Sequence, residues 1–465
     1  MPENRRSLLR SAGAGALAFA GLKSAHAAER RPRGAHPARG DGLGPLVADP
    51  EGLFDRPEGF TYHAFSAVGE RMDDGLLVPP RHDGMGCFAG RDGQVVLVRN
   101  HEMPLGQGGA FGEGNALLEE LDPALVYDAG SGTNACLGGT TTVVYDPERR
   151  RVLRQHLSLA GTLVNCAGGT TPWGSWLSCE ETVLSANEPQ HLPARDHGWC
   201  FEVPRGARSL VAPEPLRAMG RFVREAVAVH EASGVVYQTE DRYESLFYRF
   251  VPEVPGELSR GGKLYALALE GAPSTHTNHW SPYTRLPAGE PLPVRWIELD
   301  QPEAPEGDLH LRGFLAGAAR FTRGEGIHAA GDEIYFACTN GGPARAGQIW
   351  RYVPSPHEGT AAEEDAPGTL ELFLESDDRE LMENCDNLCV APWGQLIVCE
   401  DGNAQDALRV VTREGVIHTL GRNVRNEGEL AGACFSPDGE TLFVNVQTVG
   451  VTLAIRGDWE RVRAL

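Results

Sequence analysis

Six short segments of the chain share one pattern of apolar and polar positions. In each segment an apolar run leads into a glycine turn, and a second apolar run follows the turn. The turns lie at Gly93, Gly174, Gly234, Gly331, Gly394 and Gly439. Two apolar runs joined by a tight glycine turn are typical of a β-hairpin, so the pattern predicts six hairpins rather than long helices.

Polar or acidic residues bound each predicted hairpin. Upstream of the turns stand Asp83, Cys166, Glu225, Glu325, Asp386 and Glu429. Downstream stand, in the same order, Asn100 and Glu102, Glu180 and Glu181, Glu240 and Asp241, Asn340, Glu400 and Asp401, and Asn445. The two outer ends of an antiparallel hairpin meet at its open end. The polar groups of each unit are therefore expected to gather at one place.

Six such units predict an all-β fold: a six-bladed β-propeller with loop insertions and a metal cluster at the central channel. A single domain is expected over residues 46–465, with the carboxylates converging on one mouth of the channel. For one hairpin alone, a simpler reading is that acids end strands because turns are solvated. The register shared by six units argues against that reading.

The overall charge excludes a general nucleic-acid binder. The chain carries 42 Lys and Arg against 64 Asp and Glu, a net charge of −22. A phosphate backbone would be repelled by such a protein. The 57 Gly and 32 Pro favour many short strands joined by turns, and a hydrophobic fraction of 41% is enough for a core.

Residues 1–27 have the order of a twin-arginine export signal. Arg5 and Arg6 precede an apolar run over residues 12–22 and a small-residue cleavage site. The apolar run is too short to span a bilayer, which needs roughly 20 residues. The sequence predicts export by the twin-arginine machinery to the periplasm or the exterior, without stable membrane insertion. Residues 28–45 are expected to form a basic linker.

The clustered carboxylates predict a cation site, because like charges at close range repel one another unless a cation neutralises them. Calcium accepts about six to eight oxygen ligands in flexible geometry, whereas zinc prefers nitrogen and sulfur. Cys166 is the one thiol among the six residues upstream of the turns. As a thiolate it would favour a transition metal such as iron. The alternative, an inert buried cysteine, is the commoner fate of a lone cysteine.

Arg323 stands two residues before Glu325. On an extended segment these two side chains point to the same face. A guanidinium beside metal-binding carboxylates suits a phosphoryl group, since metals withdraw charge and arginine holds two oxygens. A plain surface ion pair is the alternative for this spacing taken alone.

The motifs around these residues resemble those of the PhoX-type alkaline phosphatases, a family of twin-arginine-exported bacterial phosphatases. The resemblance runs from about Gly75 to Thr452. It rests on Asp83-Gly84-Met85, Arg99-Asn100-His101-Glu102, Asn165-Cys166-Ala167-Gly168-Gly169, Thr171-Pro172-Trp173-Gly174, Cys179-Glu180-Glu181, Glu240-Asp241, Arg323-Gly324-Glu325-Gly326, Asp386-Asn387, Glu429 and Phe435-Ser436-Pro437-Asp438-Gly439.

The resemblance implies a six-bladed propeller whose channel holds ferric iron and calcium. It implies that Cys166 ligates iron and that Arg323 holds the phosphate. The implied metal ligands are Cys166, one of Glu180 and Glu181, Glu225, Glu325, Asp386 and Glu429. Glu240 and Asp241 are implied as supporting groups, and Asn100 and Glu102 either as supporting groups or as ligands. One departure is Arg224, which stands where the family pattern has histidine.

The sequence therefore predicts a hydrolase for a small phosphorylated substrate, a phosphomonoester. Two alternatives stay open: a calcium-dependent propeller lactonase or phosphotriesterase, and a catalytically silent, calcium-stabilised propeller that binds a partner. Cys166 and the spacing of Arg323 and Glu325 favour the phosphatase, because a lactonase that uses calcium alone has no need of a thiolate. The chain has no G-x-S-x-G motif, so no serine elbow is expected.

Overall fold

The computed structural model describes residues 37–130, 134–186, 193–283, 285–403 and 405–465. The predicted export signal and the first part of the predicted linker lie outside these ranges. Within the described residues the fold is all-β, with few and short helices. None of these helices has the length and apolar character needed to cross a membrane.

The strands follow one another closely along the chain. They are β1 (Ala38–Arg39), β2 (Leu46–Val47), β3 (Phe54–Pro57), β4 (Thr61–Phe65), β5 (His82–Ala89), β6 (Val95–His101), β7 (Gly138–Asp146), β8 (Arg151–Thr162), β9 (Asn165–Thr170), β10 (Ser175–Glu180), β11 (Cys200–Pro204), β12 (Arg224–Val229), β13 (Val236–Glu240), β14 (Tyr248–Pro252), β15 (Gly262–Leu269), β16 (Leu292–Leu299), β17 (Gly324–Ala330), β18 (Glu333–Cys338), β19 (Gln348–Val353), β20 (Thr369–Glu375), β21 (Cys385–Val390), β22 (Leu396–Glu400), β23 (Ala407–Val411), β24 (Val416–Asn423), β25 (Leu430–Phe435), β26 (Leu442–Val446) and β27 (Val451–Arg456). The α-helices are α1 (Leu309–Leu315) and α2 (Trp459–Arg463), and short 3-10 helices cover Glu113–Glu120, Pro123–Leu125, Arg217–Met219, Leu258–Arg260 and Ala361–Asp365.

All six predicted hairpins are present and antiparallel. They are β5–β6, β9–β10, β12–β13, β17–β18, β21–β22 and β25–β26. The six predicted turn glycines lie between the paired strands, and each has a positive φ, from 60° at Gly331 to 104° at Gly394. Glycine adopts this left-handed conformation without steric cost, which explains why the turns could be found in the sequence.

Each hairpin is extended outward by further antiparallel strands. The sheets have the orders β5-β6-β7-β8, β9-β10-β11, β12-β13-β14-β15-β16-β20-β19-β18-β17, β2-β3-β24-β23-β22-β21 and β25-β26-β27-β4. In the nine-stranded sheet, β16 and β20 join two hairpin sheets at their outer edges, through Leu292 opposite Leu370 and Pro293 opposite Thr369. Five sheets therefore contain six hairpin units.

The first strands of the six hairpins contact one another in a closed cycle. The order around the cycle is β5, β9, β12, β17, β21 and β25, and β25 returns to β5. Small residues permit this close approach. A Cβ atom on Gly326 would lie 2.7 Å from the Cα atom of Asn387, and one on Gly169 would lie 2.0 Å from the carbonyl oxygen of Val227. Side chains at these positions would push neighbouring strands apart.

The core is divided into apolar layers, one between each pair of neighbouring hairpin sheets. Because both faces of a middle strand are covered, strands such as β22 and β26 are buried along their whole length. Residues that meet in the successive layers are Val98 with Trp176, Leu177 with Val227, Tyr237 with Phe336, Tyr335 with Val398, Ile397 with Leu442, and Phe443 with Leu97.

The last layer is closed by a strand from the N-terminal part of the domain. β4 pairs antiparallel with β27, from Phe65 opposite Thr452 to Thr61 opposite Arg456. The buried Arg99 guanidinium donates to Thr452 Oγ1 at 2.6 Å and to Ser66 Oγ at 3.0 Å, which fastens the first hairpin to this pair. The two ends of the domain are thus held in one sheet.

The described part of the predicted linker packs against the domain. β1 pairs in parallel with β24, the Gly40 N–H donates to the Ile417 carbonyl at 2.8 Å, and Leu43 is buried. Residues of the expected linker from Ala38 onward are thus packed, and the apolar Leu43 side chain joins the core cluster that contains Trp459.

We expect Phe65→Ala to lower the free energy of unfolding by about 3–5 kcal/mol. Phe65 stacks on Tyr145 with ring centroids 4.3 Å apart and meets the edge of Phe443 at 6.2 Å, so its removal leaves a cavity in the closing layer. Urea unfolding followed by circular dichroism measures the change. Tyr283→Ala is the control, because Tyr283 is 94% exposed, and it should change the value by less than about 0.5 kcal/mol. Equal effects of the two substitutions would contradict the prediction.

Candidate metal centre

The open ends of the six hairpins are closed by the same backbone hydrogen bond. The N–H of the residue after the second strand donates to the carbonyl oxygen of the residue before the first strand, at distances from 2.8 to 3.1 Å. The donor and acceptor pairs are Glu102 and Arg81, Glu181 and Val164, Asp241 and Val223, Thr339 and Arg323, Asp401 and Asn384, and Gln447 and Glu429. This bond brings the flanking residues of every hairpin to one end of the fold.

Every hairpin also has a register shift within two or three residues of this bond. The shifts lie next to Asp83 in the first hairpin, Cys166 in the second and Glu225 in the third. The fourth to sixth hairpins have theirs beside Glu325, Asp386 and Ala431. Such an irregularity re-aims the side chain at which it occurs. Five of the six re-aimed positions carry a carboxylate or a thiol.

These side chains line one open pocket of about 340 Å³. Its lining consists of Arg81, Glu102, Cys166, Glu181, Glu225, Asp241, Arg323, Glu325, Asp386, Asp401, Glu427, Gly428, Glu429, Gln447 and Thr448. Asp83 lies beside it, with its Oδ2 accepting from Gln447 Nε2 at 2.9 Å. Residues from all six hairpin units thus meet at this end of the inner strands.

Four overlapping groups of side chains in this region have ligand atoms within 4.8 Å of one another. The groups are Cys166, Glu181 and Glu225; Glu225, Glu325 and Asp386; Asp386, Asp401 and Glu429; and Asp83, Glu102 and Glu429. Glu225, Asp386 and Glu429 each belong to two groups. A carboxylate has two oxygens, so each shared residue is able to bridge two neighbouring cation positions.

The pocket carboxylates are poorly solvated and repel one another. Burial, followed by the charge of Asp401, raises the pKa of Asp386 to about 8. Burial and neighbouring carboxylates likewise raise the pKa values of Glu225, Glu325 and Glu429 well above the ordinary range. Without cations, these groups would keep their protons to a higher pH than free carboxyl groups do.

Glu225 gives the clearest sign that the pocket needs a cation. Both of its carboxylate oxygens are buried and lack a hydrogen-bond partner among the described residues. A buried carboxylate in this condition is costly unless it is protonated or neutralised by a cation. The donor set and the unpartnered oxygens together fit bound metal ions.

The Cys166 thiol belongs to the same environment. Its Sγ lies 3.7 Å from Asp83 Oδ1, and it shares a ligand group with Glu181 and Glu225. Burial, and then the charges of Asp83 and Glu225, raise its pKa well above the ordinary value. The thiol would therefore become a thiolate only if a cation bound it.

Arg323 is held rigidly at the pocket wall. Its Nε and Nη2 donate to Asp241 Oδ1 and Oδ2, both at 2.8 Å, and Nη2 lies 3.1 Å from Glu325 Oε1. Burial alone would lower the pKa of Arg323, but the bond to Asp241 and the attraction of Glu325 raise it above the ordinary value. Nη1 has no hydrogen-bond partner among the described residues. It is the donor available to an anion.

The structure separates Glu180 from Glu181. Glu181 faces the pocket, whereas Glu180 accepts from Leu163 N–H at 2.9 Å, from His197 Nδ1 at 2.6 Å and from the backbone of Gly198 at 2.8 Å. Neighbours on an extended segment point to opposite faces, which explains the split. Glu180 thus holds the backbone and His197 outside the pocket lining, and Glu181 is the residue of the pair that lies in it.

The same alternation governs the other acidic pairs. Glu240 points away from the pocket and accepts from Tyr248 Oη at 2.7 Å, whereas Asp241 enters the pocket and holds Arg323. Glu400 pairs with Arg409 at 2.8 Å, outside the pocket lining. In each pair the second acid is the pocket residue, because it is the one that follows the last residue of the strand.

Asn100 supports the site from behind. Its Nδ2 donates to the carbonyl oxygens of Ala167 at 2.7 Å and Cys166 at 3.2 Å, and its Oδ1 accepts from Trp176 Nε1 at 2.8 Å. It therefore fixes the backbone that carries the thiol. Glu102, in contrast, reaches the pocket itself, where its Oε2 accepts from Arg81 at 3.1 Å.

Arg224 does not disturb the pocket. Its guanidinium points away from the neighbouring Glu225 and is buried against the Phe222 ring, 4.1 Å from the centroid. It donates to the Gly220 carbonyl at 2.6 Å and to Gln238 Oε1 at 2.9 Å. The departure from the family pattern at this position is thus accommodated by carbonyl oxygens.

Seven residues of the site are absent from the ligands and supporting groups that the resemblance implied: Arg81, Asp83, Asp401, Glu427, Gly428, Gln447 and Thr448. Asp83 holds the upstream position of the first hairpin and Asp401 the downstream position of the fifth, so the register of the repeat is the signal that identifies both. Gln447 bridges Asp83 Oδ2 and Glu102 Oε2, each at 2.9 Å. Nothing in the local sequence of Gln447 or Arg81 indicates a site.

Comparisons with known proteins agree with this architecture. The family model described as alkaline phosphatase PhoX matches residues 42–450. Pseudomonas fluorescens PhoX, solved in complex with vanadate, a transition state analogue, has a TM-score of 0.66 at 18% identity. That match covers 89% of this chain and 97% of the other, and it shows a shared fold.

Other solved structures are more distant. A gluconolactonase from Xanthomonas campestris has a TM-score of 0.39 at 11% identity and covers 90% of this chain and 98% of its own. Virginiamycin B lyase from Staphylococcus aureus has a TM-score of 0.36 at 8% identity, with coverages of 85% and 99%. No curated protein matches the chain in sequence.

We expect the cation-free protein to lose stability as the pH rises from about 5 to about 8. Burial raises the folded pKa of Asp386 to about 8, so the folded state binds more protons than the unfolded state over this range. The free energy of unfolding then falls with rising pH. Urea unfolding in the presence of a chelator at both ends of the range measures the loss.

The matched variants are Asp386→Asn and Asp92→Asn. The first should reduce the pH dependence, because it removes one of the titrating groups. The second should leave it unchanged, because Asp92 is exposed in the turn between β5 and β6, away from the pocket. A cation-free protein that becomes more stable toward pH 8 would refute the electrostatic account of the pocket.

Proposed function

The chain belongs to the PhoX family of alkaline phosphatases, and on that premise we propose that its acidic pocket hydrolyses phosphomonoesters with bound calcium and ferric iron. The observation that carries the proposal is the row of four overlapping ligand groups beside a fixed guanidinium. The substrate would be a small phosphorylated molecule that enters the open pocket. The strongly acidic chain is no partner for nucleic acid.

The donor atoms support the identity of the two metals. The three groups made only of carboxylates offer the hard oxygen ligands that calcium takes in flexible number. The group of Cys166, Glu181 and Glu225 adds a sulfur atom, which supports a transition metal such as iron. When bound, these cations would neutralise the carboxylates and withdraw charge from a phosphoryl group.

Arg323 has the role of holding the phosphate. Asp241 engages one edge of the guanidinium with two bonds, so the side chain loses little further freedom when it meets a substrate. Nη1 is left to donate to a phosphate oxygen, and charge-assisted bonds of this kind are the strong ones. Glu325 keeps the guanidinium beside the carboxylates that would hold the cations.

The thiol and the guanidinium favour this function over the alternatives. A lactonase that uses calcium alone needs neither Cys166 beside two carboxylates nor an arginine locked by Asp241. A silent propeller stabilised by calcium would bind cations without turnover. The activity assays below separate these possibilities.

We further propose that residues 46–465 form a single six-bladed β-propeller with its metal cluster at the central channel. The closed cycle of inner strands supports this, as do the apolar layers between neighbouring sheets. The nine-stranded sheet would then be two blades joined at their outer edges. Each blade would supply the residues at the open end of its hairpin.

Export to the periplasm or the exterior by the twin-arginine machinery also stays a proposal. It rests on the order of Arg5, Arg6, the apolar run and the cleavage site in residues 1–27. That machinery carries folded proteins, so the metals would be able to enter before export. Replacement of both arginines by lysine should keep the protein in the cytoplasm, as measured by cell fractionation.

We expect Arg323→Gln to lower kcat/KM for p-nitrophenyl phosphate by about 100-fold, the usual scale for losing a charged donor at a transition state. The assay is release of nitrophenolate by the exported protein. Arg217→Gln is the control, because Arg217 forms an exposed pair with Glu303 at 3.1 Å, and it should keep full activity. Undiminished kcat/KM in the Arg323 variant would show that the phosphate-holding role is wrong.

We expect a calcium chelator to abolish the hydrolysis of p-nitrophenyl phosphate and added calcium to restore it.

Cys166→Ser should lose iron, measured by elemental analysis, because serine is a poor ligand for a thiolate-preferring metal. Cys87→Ser is the matched control on the neighbouring strand β5, and it should keep its iron. Turnover that is indifferent to calcium, or iron that survives in the Cys166 variant, would contradict the proposed cofactors.

A further inference from the structure

Arg81 occupies the same place in the first hairpin that Arg323 occupies in the fourth. Each arginine immediately precedes an inner strand, and its carbonyl oxygen accepts the closing hydrogen bond at 3.0 Å. Both have the left-handed backbone, with φ of 49° at Arg81 and 45° at Arg323. In both, the guanidinium lines the pocket and pairs with a pocket carboxylate, Glu102 for Arg81 and Asp241 for Arg323.

The two arginines lie on opposite sides of the pocket. Their inner strands, β5 and β17, are three steps apart in either direction around the cycle of six. The corresponding positions in the other hairpins are held by Val164, Val223, Asn384 and Glu429. Among the six equivalent positions, arginine therefore occurs only at this opposed pair.

Arg81 has more donor capacity left than Arg323. Its Nη1 donates to Glu102 Oε2 at 3.1 Å, and its Nε and Nη2 have no hydrogen-bond partner among the described residues. Its side chain is 38% exposed, whereas that of Arg323 is 29% exposed and already engages Asp241 at two atoms. Arg81 thus presents a largely unused donor fork to the open side of the pocket.

We propose that Arg81 is a specificity-determining residue that binds a second anionic group on the alcohol portion of the phosphomonoester. The inference rests on the proposed function, in which Arg323 holds the phosphate. A phosphate held on the side of β17 directs its ester oxygen and the attached alcohol away from Arg323, across the pocket toward Arg81. A carboxylate or a further phosphate on that alcohol would meet the free donors of Arg81.

The test compares two esters that differ in one group, 3-phosphoglycerate and glycerol 3-phosphate. The first carries a carboxylate where the second carries a hydroxymethyl group. In the calcium- and iron-loaded protein, Arg81→Gln should lower kcat/KM for 3-phosphoglycerate about tenfold more than for glycerol 3-phosphate. Arg81→Lys should change the ratio of the two kcat/KM values less, because lysine keeps the positive charge but lacks the paired N–H donors of arginine.

Arg150→Gln is the matched control. Arg150 is exposed and has nearly the same left-handed backbone, with φ of 50°, but it lies in the turn between β7 and β8. The ratio of the two kcat/KM values should be unchanged in this variant. An Arg81 variant that loses activity equally on both esters would overturn the proposal, because the residue would then act only through Glu102. A variant that loses activity on neither ester would also overturn it, because Arg81 would then bind no part of the substrate.

A second measurement uses the unaltered protein. Phosphonoacetate carries a phosphonate and a carboxylate, whereas methylphosphonate carries the phosphonate alone. Phosphonoacetate should inhibit p-nitrophenyl phosphate hydrolysis at about tenfold lower concentration, with calcium kept in excess. Equal inhibition by the two compounds would overturn the proposal. A protein that hydrolyses no phosphomonoester would overturn the proposed function itself, a result distinct from equal inhibition.

Discussion

The backbone hydrogen bond that closes the open end of each hairpin is the constraint on which the site depends. It fixes the residue before the first strand against the residue after the second, for example Arg81 against Glu102 and Arg323 against Thr339. The register shift beside it then turns the next side chain of the inner strand toward the axis of the cycle. The closing bond is repeated six times, and with five re-aimed acids or thiols and Glu429 before the sixth inner strand it assembles a pocket from residues that are distant in sequence.

The backbone holds the acidic side chains of the pocket close together, which is unfavourable because their like charges repel. Glu225 has two buried oxygens with no hydrogen-bond partner in the part of the chain that the structure describes, and Asp386 and Glu429 each lie close to other carboxylates. The packed strands hold these groups together, because Gly326 and Gly169 let the inner backbones meet at distances that side chains would prevent. Such a site has a strong requirement for positive charge. The rigid strands thus maintain a concentration of negative charge that cations would relieve.

The two arginines of the pocket contribute little to its charge balance. Two guanidiniums stand against many carboxylates, so they do not neutralise the region. They lie on opposite sides of the pocket and differ in how firmly they are held. Two bonds to Asp241 fix Arg323, whereas one bond to Glu102 holds Arg81. A rigid donor suits the group that is common to all substrates, and a less constrained donor suits the group that differs among them.

The sequence by itself determined the hairpins and the kind of chemistry. Positive-φ glycines such as Gly394 and the apolar runs beside them are local signals, so the turns were readable without a fold. The family motifs pointed to a phosphatase. The spacing predicted that Arg323 and Glu325 lie together, as they do at 3.1 Å, although Arg323 has a left-handed backbone just before the strand. The sixfold register also placed Asp83 and Asp401 at strand ends, although the motifs alone did not mark them as ligands.

Only the tertiary structure decided which side chains face the pocket. Alternation along a strand shows that Glu180 and Glu181 point to opposite faces, but the neighbouring sheets determine which face is the inner one. The opposition of Arg81 and Arg323 depends on the closed order of the inner strands, and the bridge from Gln447 to Glu102 depends on the first and last hairpins being neighbours. These are contacts between segments that are distant in the sequence. Their distances are determined by tertiary packing, so local sequence patterns do not predict them.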